Sequence, residues 1–334
     1  MPKPIKSTVL LVFILSYVLA PSLVFAETKT VVFIRYRIAP NYWSTVVNGF
    51  KETMTQRGFV EGETIRYVDV LTRSADKSSV PDVLAAVQKW QGKADMIITC
   101  GWVSMYARSI LKDTATPQLF VPILKSVGLS MLPSLTAVPG TNLSGVYVMY
   151  PPEKVLRLAH LVLPDLQRYG YVYDSRIPAD AIFRLGYEKL TQAERHGITI
   201  HFFDLAQGVA SVLAGLHDKK IEAYGGIVGS FKKQAELGAS GLPVITAFTP
   251  DIETWDLEKY VRQGNILAGL YNPFRYCGVQ GAEMTADIFT GKTRIKQTVP
   301  RPARQVAFIN LKMAERFKIY IPFSALEAVD VVIK

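Results

Sequence analysis

The sequence predicts an α/β protein made of two Rossmann-like, doubly wound parallel-sheet lobes. Short β-branched runs alternate with stretches of helical apolar spacing, an order that builds parallel sheets with helices on both faces. The same order restarts near residue 168, about halfway along the chain. Landmarks in the two halves also share one offset. Arg37-Ile38 matches Arg176-Ile177, and Gly58 matches Gly197, each pair 139 positions apart (37 to 176, 58 to 197). One such match is chance; the same spacing at both ends of a strand–helix unit indicates two lobes of one design.

Each element follows from local chemistry. Residues 30–36 (TVVFIRY) have the Val/Ile/Phe content of a strand. Residues 43–57 carry apolar side chains at Val46, Val47, Phe50 and Met54, and Gly58 suits the position just past a helix end. A strand follows at 65–70, a helix at 81–90 with Pro81 in its first turn, a buried strand at 95–100, a helix at 104–112 and a strand at 119–124. The second half reads as strand 169–173, helix 183–195, strand 198–203 and helix 209–217. Strands at 224–228 and 243–247 and a helix at 252–262 complete it.

Composition narrows the class. A chain of 334 residues, 49% hydrophobic and 20% charged, is not disordered, and its length suits two cored domains. Two cysteines, Cys100 and Cys277, make neither a disulfide framework nor a four-thiolate zinc site. They read equally as one disulfide or as two buried free thiols.

Residues 1–26 read as an export signal. Lys3 and Lys6 precede an apolar run over 9–20, Pro21 breaks it, and Val24-Phe25-Ala26 offers a small-residue cleavage site. The run is too short to span a bilayer, which takes about 20 apolar residues. The expected product is a periplasmic protein beginning at Glu27. The net charge of +10 falls to +8 when Lys3 and Lys6 leave with the signal. The bases are scattered among the acids without forming a stripe, so no nucleic-acid partner is expected.

Four stretches carry a family resemblance. They are VPILKSVGLSMLPSLTAVPGTNLSGVYV (121–148), KVLRLAHLVLPDLQRYGYVYD (154–174), GLYNPFRYCGVQGAEMTADIFTGK (269–292) and VAFINLKMAERFKIYIPFSALEAVDVVI (306–333). In order and pattern they resemble the ABC-transporter substrate-binding proteins that include tryptophan- and tyrosine-type members. The resemblance implies a type I periplasmic binding protein: two lobes joined by crossover strands, with ligand held in the cleft by closure. It places lobe 1 at 27–145 plus 273–298 and lobe 2 at 146–272 plus 299–334. It also implies a small-molecule ligand, a membrane permease as partner, a monomer, and no cofactor.

In such sheets ligands sit beyond the carboxyl ends of the strands, so the candidates are loop residues. Tyr42 opens the first helix with an aromatic ring suited to a planar ligand. Gly101, Trp102 and Ser104 begin a helix whose free N–H groups suit a carboxylate, with Ser104 also a candidate N-cap. Lys125 and Ser126 replace the family's Asp-Pro, and Ser230-Phe231 stands where many relatives carry an Asp. Asp180, Thr249 and Tyr271 occupy the matching loops of lobe 2. A buried ammonium needs a carboxylate. Losing two acids and gaining Lys125 therefore points to an aromatic or apolar organic acid. Its carboxylate would meet Lys125 and its body Trp102, Tyr42 or Phe231, while Asp174, Asp180 or Asp251 would serve an amino acid.

The turn RYRIAPNYW after the first strand has no glycine, which removes the dinucleotide fingerprint. No nucleophile elbow, phosphate loop or metal spacing appears, and His160, His196, His201 and His217 read as ordinary core or surface imidazoles. The expectation is a binding protein and not an enzyme. A sensor that docks on a membrane signalling receptor is the alternative with the same cleft.

Overall fold

A computed structural model of the chain describes residues 28–36, 42–73, 77–247 and 264–334. The expected export signal, the helix at 252–262, Thr249, Asp251 and Arg37-Ile38 lie outside the described residues.

Two sheets carry the fold. The first has strands β1 (Lys29–Tyr36), β2 (Ile65–Thr72), β3 (Met96–Thr99), β4 (Gln118–Leu124) and β5 (Leu143–Val148). Their spatial order is β2-β1-β3-β4-β5, all parallel. The helices between them are α1 (Tyr42–Gln56), α2 (Val80–Trp90), α3 (Val103–Leu111) and the short α4 (Lys125–Met131). Right-handed crossovers put α1 on one face and α2 with α3 on the other.

After Val148 the chain enters the second sheet through α5 (Pro152–Val162). There β6 (Arg168–Tyr173), β7 (Thr199–Asp204), β8 (Ala223–Gly226), β9 (Val244–Thr246) and β10 (Ile266–Tyr271) alternate with α6 (Pro178–Glu188), α7 (Val209–Asp218), α8 (Val228–Lys232) and α9 (Gln234–Leu237). From β10 the chain returns to the first sheet as α10 (Phe274–Phe289) and adds the edge strand β11 (Arg301–Pro302) beside β5. It crosses once more to β12 (Val306–Asn310), which runs antiparallel to β10, then α11 (Leu311–Phe317), α12 (Phe323–Glu327) and the edge strand β13 (Val331–Ile333). The outcome is the α/β, two-sheet architecture the sequence predicts. The shared 139-residue offset is physical: β1 and β6 begin at Lys29 and Arg168, and Gly58 and Gly197 both take positive φ (88° and 78°).

Three elements differ from expectation. The helix expected at 183–195 runs Pro178–Glu188, because Pro178 pre-sets the first turn. It stops before Glu194, whose carboxylate accepts from the Thr191 amide and hydroxyl to build a separate turn. The strand expected at 224–228 ends at Gly226, since Val228 already starts α8. A helix, α4, stands directly after β4 where a loop was expected.

The contact between α1 and α10 holds the first lobe together. Val46, Phe50 and Met54 are fully buried along α1, each contributing about 1.5–3 kcal/mol of apolar burial. The two backbones meet at glycines. A Cβ on Gly278 would lie 2.0 Å from the Val46 carbonyl oxygen, and one on Gly49 would lie 2.4 Å from the Arg275 carbonyl oxygen. Among the described residues no helix is long and apolar enough to cross a membrane. Gly278→Ala is expected to destabilise the protein by about 1–3 kcal/mol through overpacking. That appears as a thermal midpoint lower by several degrees in a calorimetric scan against wild type.

Candidate functional site

The carboxyl ends of β1, β3 and β4 all point to one end of the first sheet, facing the ends of β6 and β8. A cavity of about 220 Å³ lies between them. The first lobe lines it with Tyr36, Trp43, Gly101, Trp102, Phe274 and the run Pro122, Ile123, Leu124, while Val148 marks the end of β5. The other wall is Tyr150, just past that crossing, with Phe183 on α6 and Ile227-Val228 after β8. Six of these residues are aromatic.

Sequence sets this geometry locally. Cys100-Gly101 directly follow β3, and Gly101 turns the chain at φ 70°. A Cβ there would sit 2.8 Å from Tyr36 Cε1 and 3.2 Å from Trp43 Cζ2. Only glycine lets both rings close over the strand end. Tyr36 then meets Trp43 edge-on at 5.4 Å and Trp102 tilted at 5.5 Å. Phe274, first in the returning α10, meets Trp43 at 5.7 Å, and across the cavity Tyr150 meets Phe183 at 5.7 Å. Such aromatic pairs add to the stability given by area burial alone.

The acids near the second wall are occupied. Asp180 is fully buried and accepts three backbone amides, from Asp174 at 3.0 Å and from Val228 and Gly229 at 2.8 Å each. Burial pushes its carboxyl above the ordinary value, while the three amides pull the other way. Asp174 forms a fork with Arg176, at 2.8 Å to Nε and 2.7 Å to the terminal nitrogen, and that partner holds its carboxyl below the usual range. Asp204 accepts from the amides of Ser175 and Ala206. These three carboxylates order the turn after β6.

Of the residues expected from sequence, Gly101 and Trp102 line the cavity. Tyr42 opens α1, and its side chain is outside the described part of the structure. Lys125 and Ser126 begin α4 between two lining residues, Leu124 and Val127; Lys125 is exposed. Ser104 does not line the cavity and is not the N-cap: Trp102 holds the N-cap position of α3, and the fully buried Ser104 hydroxyl donates to the Thr99 carbonyl at 3.4 Å. Asp180 is likewise absent from the cavity lining, its oxygens bonded to backbone amides. Ser230 and Phe231 border a separate small void within lobe 2, together with Tyr224 and Gln234. Tyr271 packs on Phe308 at 6.2 Å in the core. Sequence reading passed over Tyr36, Tyr150, Phe183 and Phe274. The signal for Tyr36, Tyr150 and Phe274 was an aromatic residue at or just past a strand end.

Cys100 and Cys277 are both buried, and neither is in a disulfide. Burial pushes the Cys100 thiol up to about 12, so it stays neutral at physiological pH. Among the described residues no group of three or more His, Cys, Asp or Glu is placed to hold a metal ion.

No protein-family profile matches the chain, and no curated protein matches it in sequence. Solved structures do. A conserved domain protein from Vibrio cholerae superposes with a TM-score of 0.71 at 20% identity, covering 92% of this chain and 100% of the other. An ABC domain in complex with L-Trp from Streptococcus pneumoniae gives 0.70 at 18% identity, with 92% and 100% covered. A ligand-free, open substrate-binding protein with adhesive properties from Clostridium difficile gives 0.72 at 16%, with 92% and 99% covered. The chain therefore has the type I periplasmic binding protein fold, the one shared by ABC-transporter solute-binding proteins.

Asp180→Ala is expected to strand three buried amides and lower stability by about 3 kcal/mol or more. The urea midpoint should fall while the slope of the transition is kept. A thiol reagent added to the native protein should label neither cysteine within minutes and both after unfolding, since only an exposed thiolate reacts.

Proposed function

We propose that this protein is the exported solute-binding component of an ABC transporter, capturing a small aromatic or apolar ligand between its lobes and presenting the closed form to a membrane permease. Residues 1–26 serve as its export signal, and no covalent chemistry is involved. The observation that carries the reading is the aromatic cavity at the carboxyl ends of the strands of both sheets, with Trp102 on one wall and Phe183 on the other. A ligand touching both walls favours the closed arrangement by its differential contacts. The fold of the L-Trp-bound Streptococcus protein supports an aromatic ligand. The volume of about 220 Å³, below the roughly 300 Å³ at which ligand pockets ordinarily begin, suits one ring or two fused rings.

The occupied acids of lobe 2 favour an acid or a neutral compound over an amino acid. Lys125, exposed, directly follows the lining residue Leu124 and offers a cation beside the cavity wall. The experiment is a thermal-shift and calorimetric screen of the purified protein against aromatic acids, amino acids, purines and sugars. A bound ligand at about 100 times its Kd adds roughly 2.7 kcal/mol of stability. Aromatic compounds are expected to raise the midpoint, and Trp102→Ala and Phe183→Ala each to weaken binding about tenfold or more. Sugars binding in their place, with both variants unaffected, would sink the reading.

A further inference from the structure

Three connections join the two lobes: residues 149–151 between β5 and α5, residues 272–273 between β10 and α10, and residues 303–305 between β11 and β12. The strand ladders stop on either side of the third one. Toward the first sheet, the Ala303 amide still donates to the Tyr147 carbonyl at 2.7 Å. Toward the second, the pairing of β12 with β10 starts at Val306 opposite Tyr271. Arg304 and Gln305 stand between the two ladders, where backbone carbonyls have to be met by side chains.

Those side chains divide the segment sharply. One face of α10 meets it at three points. Tyr276 lies under the Arg304 guanidinium at 5.1 Å, Gln280 Nε2 donates to the Pro302 carbonyl at 3.1 Å, and Glu283 pairs with Arg301 at 3.2 Å. Positions three and four apart share a helix face, so the extended stretch 301–304 runs along α10 and is fixed to the first lobe. The buried Asn272 ties the second connection to the same stretch, its Nδ2 donating to the Arg304 carbonyl at 2.8 Å. Gln305 is bonded the other way. Its Oε1 accepts from Lys154 Nζ, in the first turn of α5 in the second lobe, at 3.2 Å. Its Nε2 donates to the Met149 carbonyl of the first connection, also at 3.2 Å.

Arg304 is thus held by α10 and Val306 by β10. A rotation of one lobe against the other has to be absorbed by the few backbone torsions between them, and it displaces the Gln305 amide from at least one of its two partners. We infer that the third crossing pivots at Gln305, and that this side-chain amide is a latch holding the lobes in the arrangement seen here. The lobe boundary on that crossing then falls after Arg304 and not after residue 298. Gln305 stands off the cavity lining and is a positioning residue: it sets how often the two cavity walls face each other at this spacing, whatever the ligand.

The test is double electron–electron resonance on the full protein with no ligand added. Spin labels are placed at Leu129→Cys on α4 and Ile182→Cys on α6, exposed positions in the first and second lobe. Cys100 and Cys277 are buried and stay unlabelled. Gln305→Met keeps the length and apolar stem of the side chain and removes both bonds, while Lys154→Met removes one. Each is expected to lower the weight of the wild-type distance relative to other distances about two- to tenfold, the effect of one net hydrogen bond, in protein whose thermal transition shows it folded. Arg301→Met breaks only the pair with Glu283 inside the first lobe and is expected to keep the wild-type distribution. A wild-type distribution in Gln305→Met or Lys154→Met would overturn the latch. Broadening in Arg301→Met would overturn the pivot at Gln305, because the bond to Glu283 would then join the lobes. None of these outcomes depends on which ligand the cavity takes, so failure of the ligand reading leaves the inference to stand or fall on its own.

Discussion

The close contact between α1 and α10 is the constraint on which the rest of the molecule depends. More than 200 residues separate Gly49 from Gly278, yet at these two glycines the backbones of α1 and α10 approach more closely than any Cβ allows. That approach commits the chain to leave the second sheet after β10 and return to the first. It covers one face of the first sheet and seats Phe274 against Trp43. Fold and site thus share one contact: the helix that closes the core also supplies a wall of the cavity.

The second lobe uses its charges differently. Asp174, Asp180 and Asp204 converge on the turn after β6, where polar groups on a binding surface would otherwise face ligand. Their oxygens go to backbone amides and to Arg176, so their work is to hold the turn and the start of α8 in place. This arrangement keeps Ile227 and Val228 at the cavity wall. An apolar lining is thereby obtained beside three carboxylates, because each has a nearer partner than any ligand.

Much of this was legible in the chain. Periodicity of two against 3.6 separated strands from helices, and the recurrence of Gly58 and Gly197 exposed the doubled design. Gly101 and Trp102 were found because a loop after a buried strand is where doubly wound sheets bind. Ser104 and Asp180 stand off the cavity lining, and their placement was illegible for a common reason. Both are polar residues near a strand end, and sequence does not say whether such a group faces the cleft or the backbone behind it. The helix α6 was misplaced because Leu190 and Ala193 continue its apolar spacing past Glu188, where the chain is no longer helical.

By itself the sequence determined the class of fold, since alternation and spacing are properties of neighbouring residues along the chain. Tertiary structure alone decided the chemistry of the cavity. Tyr36, Trp43, Trp102 and Phe274 come from four separate stretches, and only their packing around Gly101 brings them to one wall of the cavity. Whether a carboxylate serves a ligand or an amide depends on the nearest donor in space, and that distance is written in no local pattern.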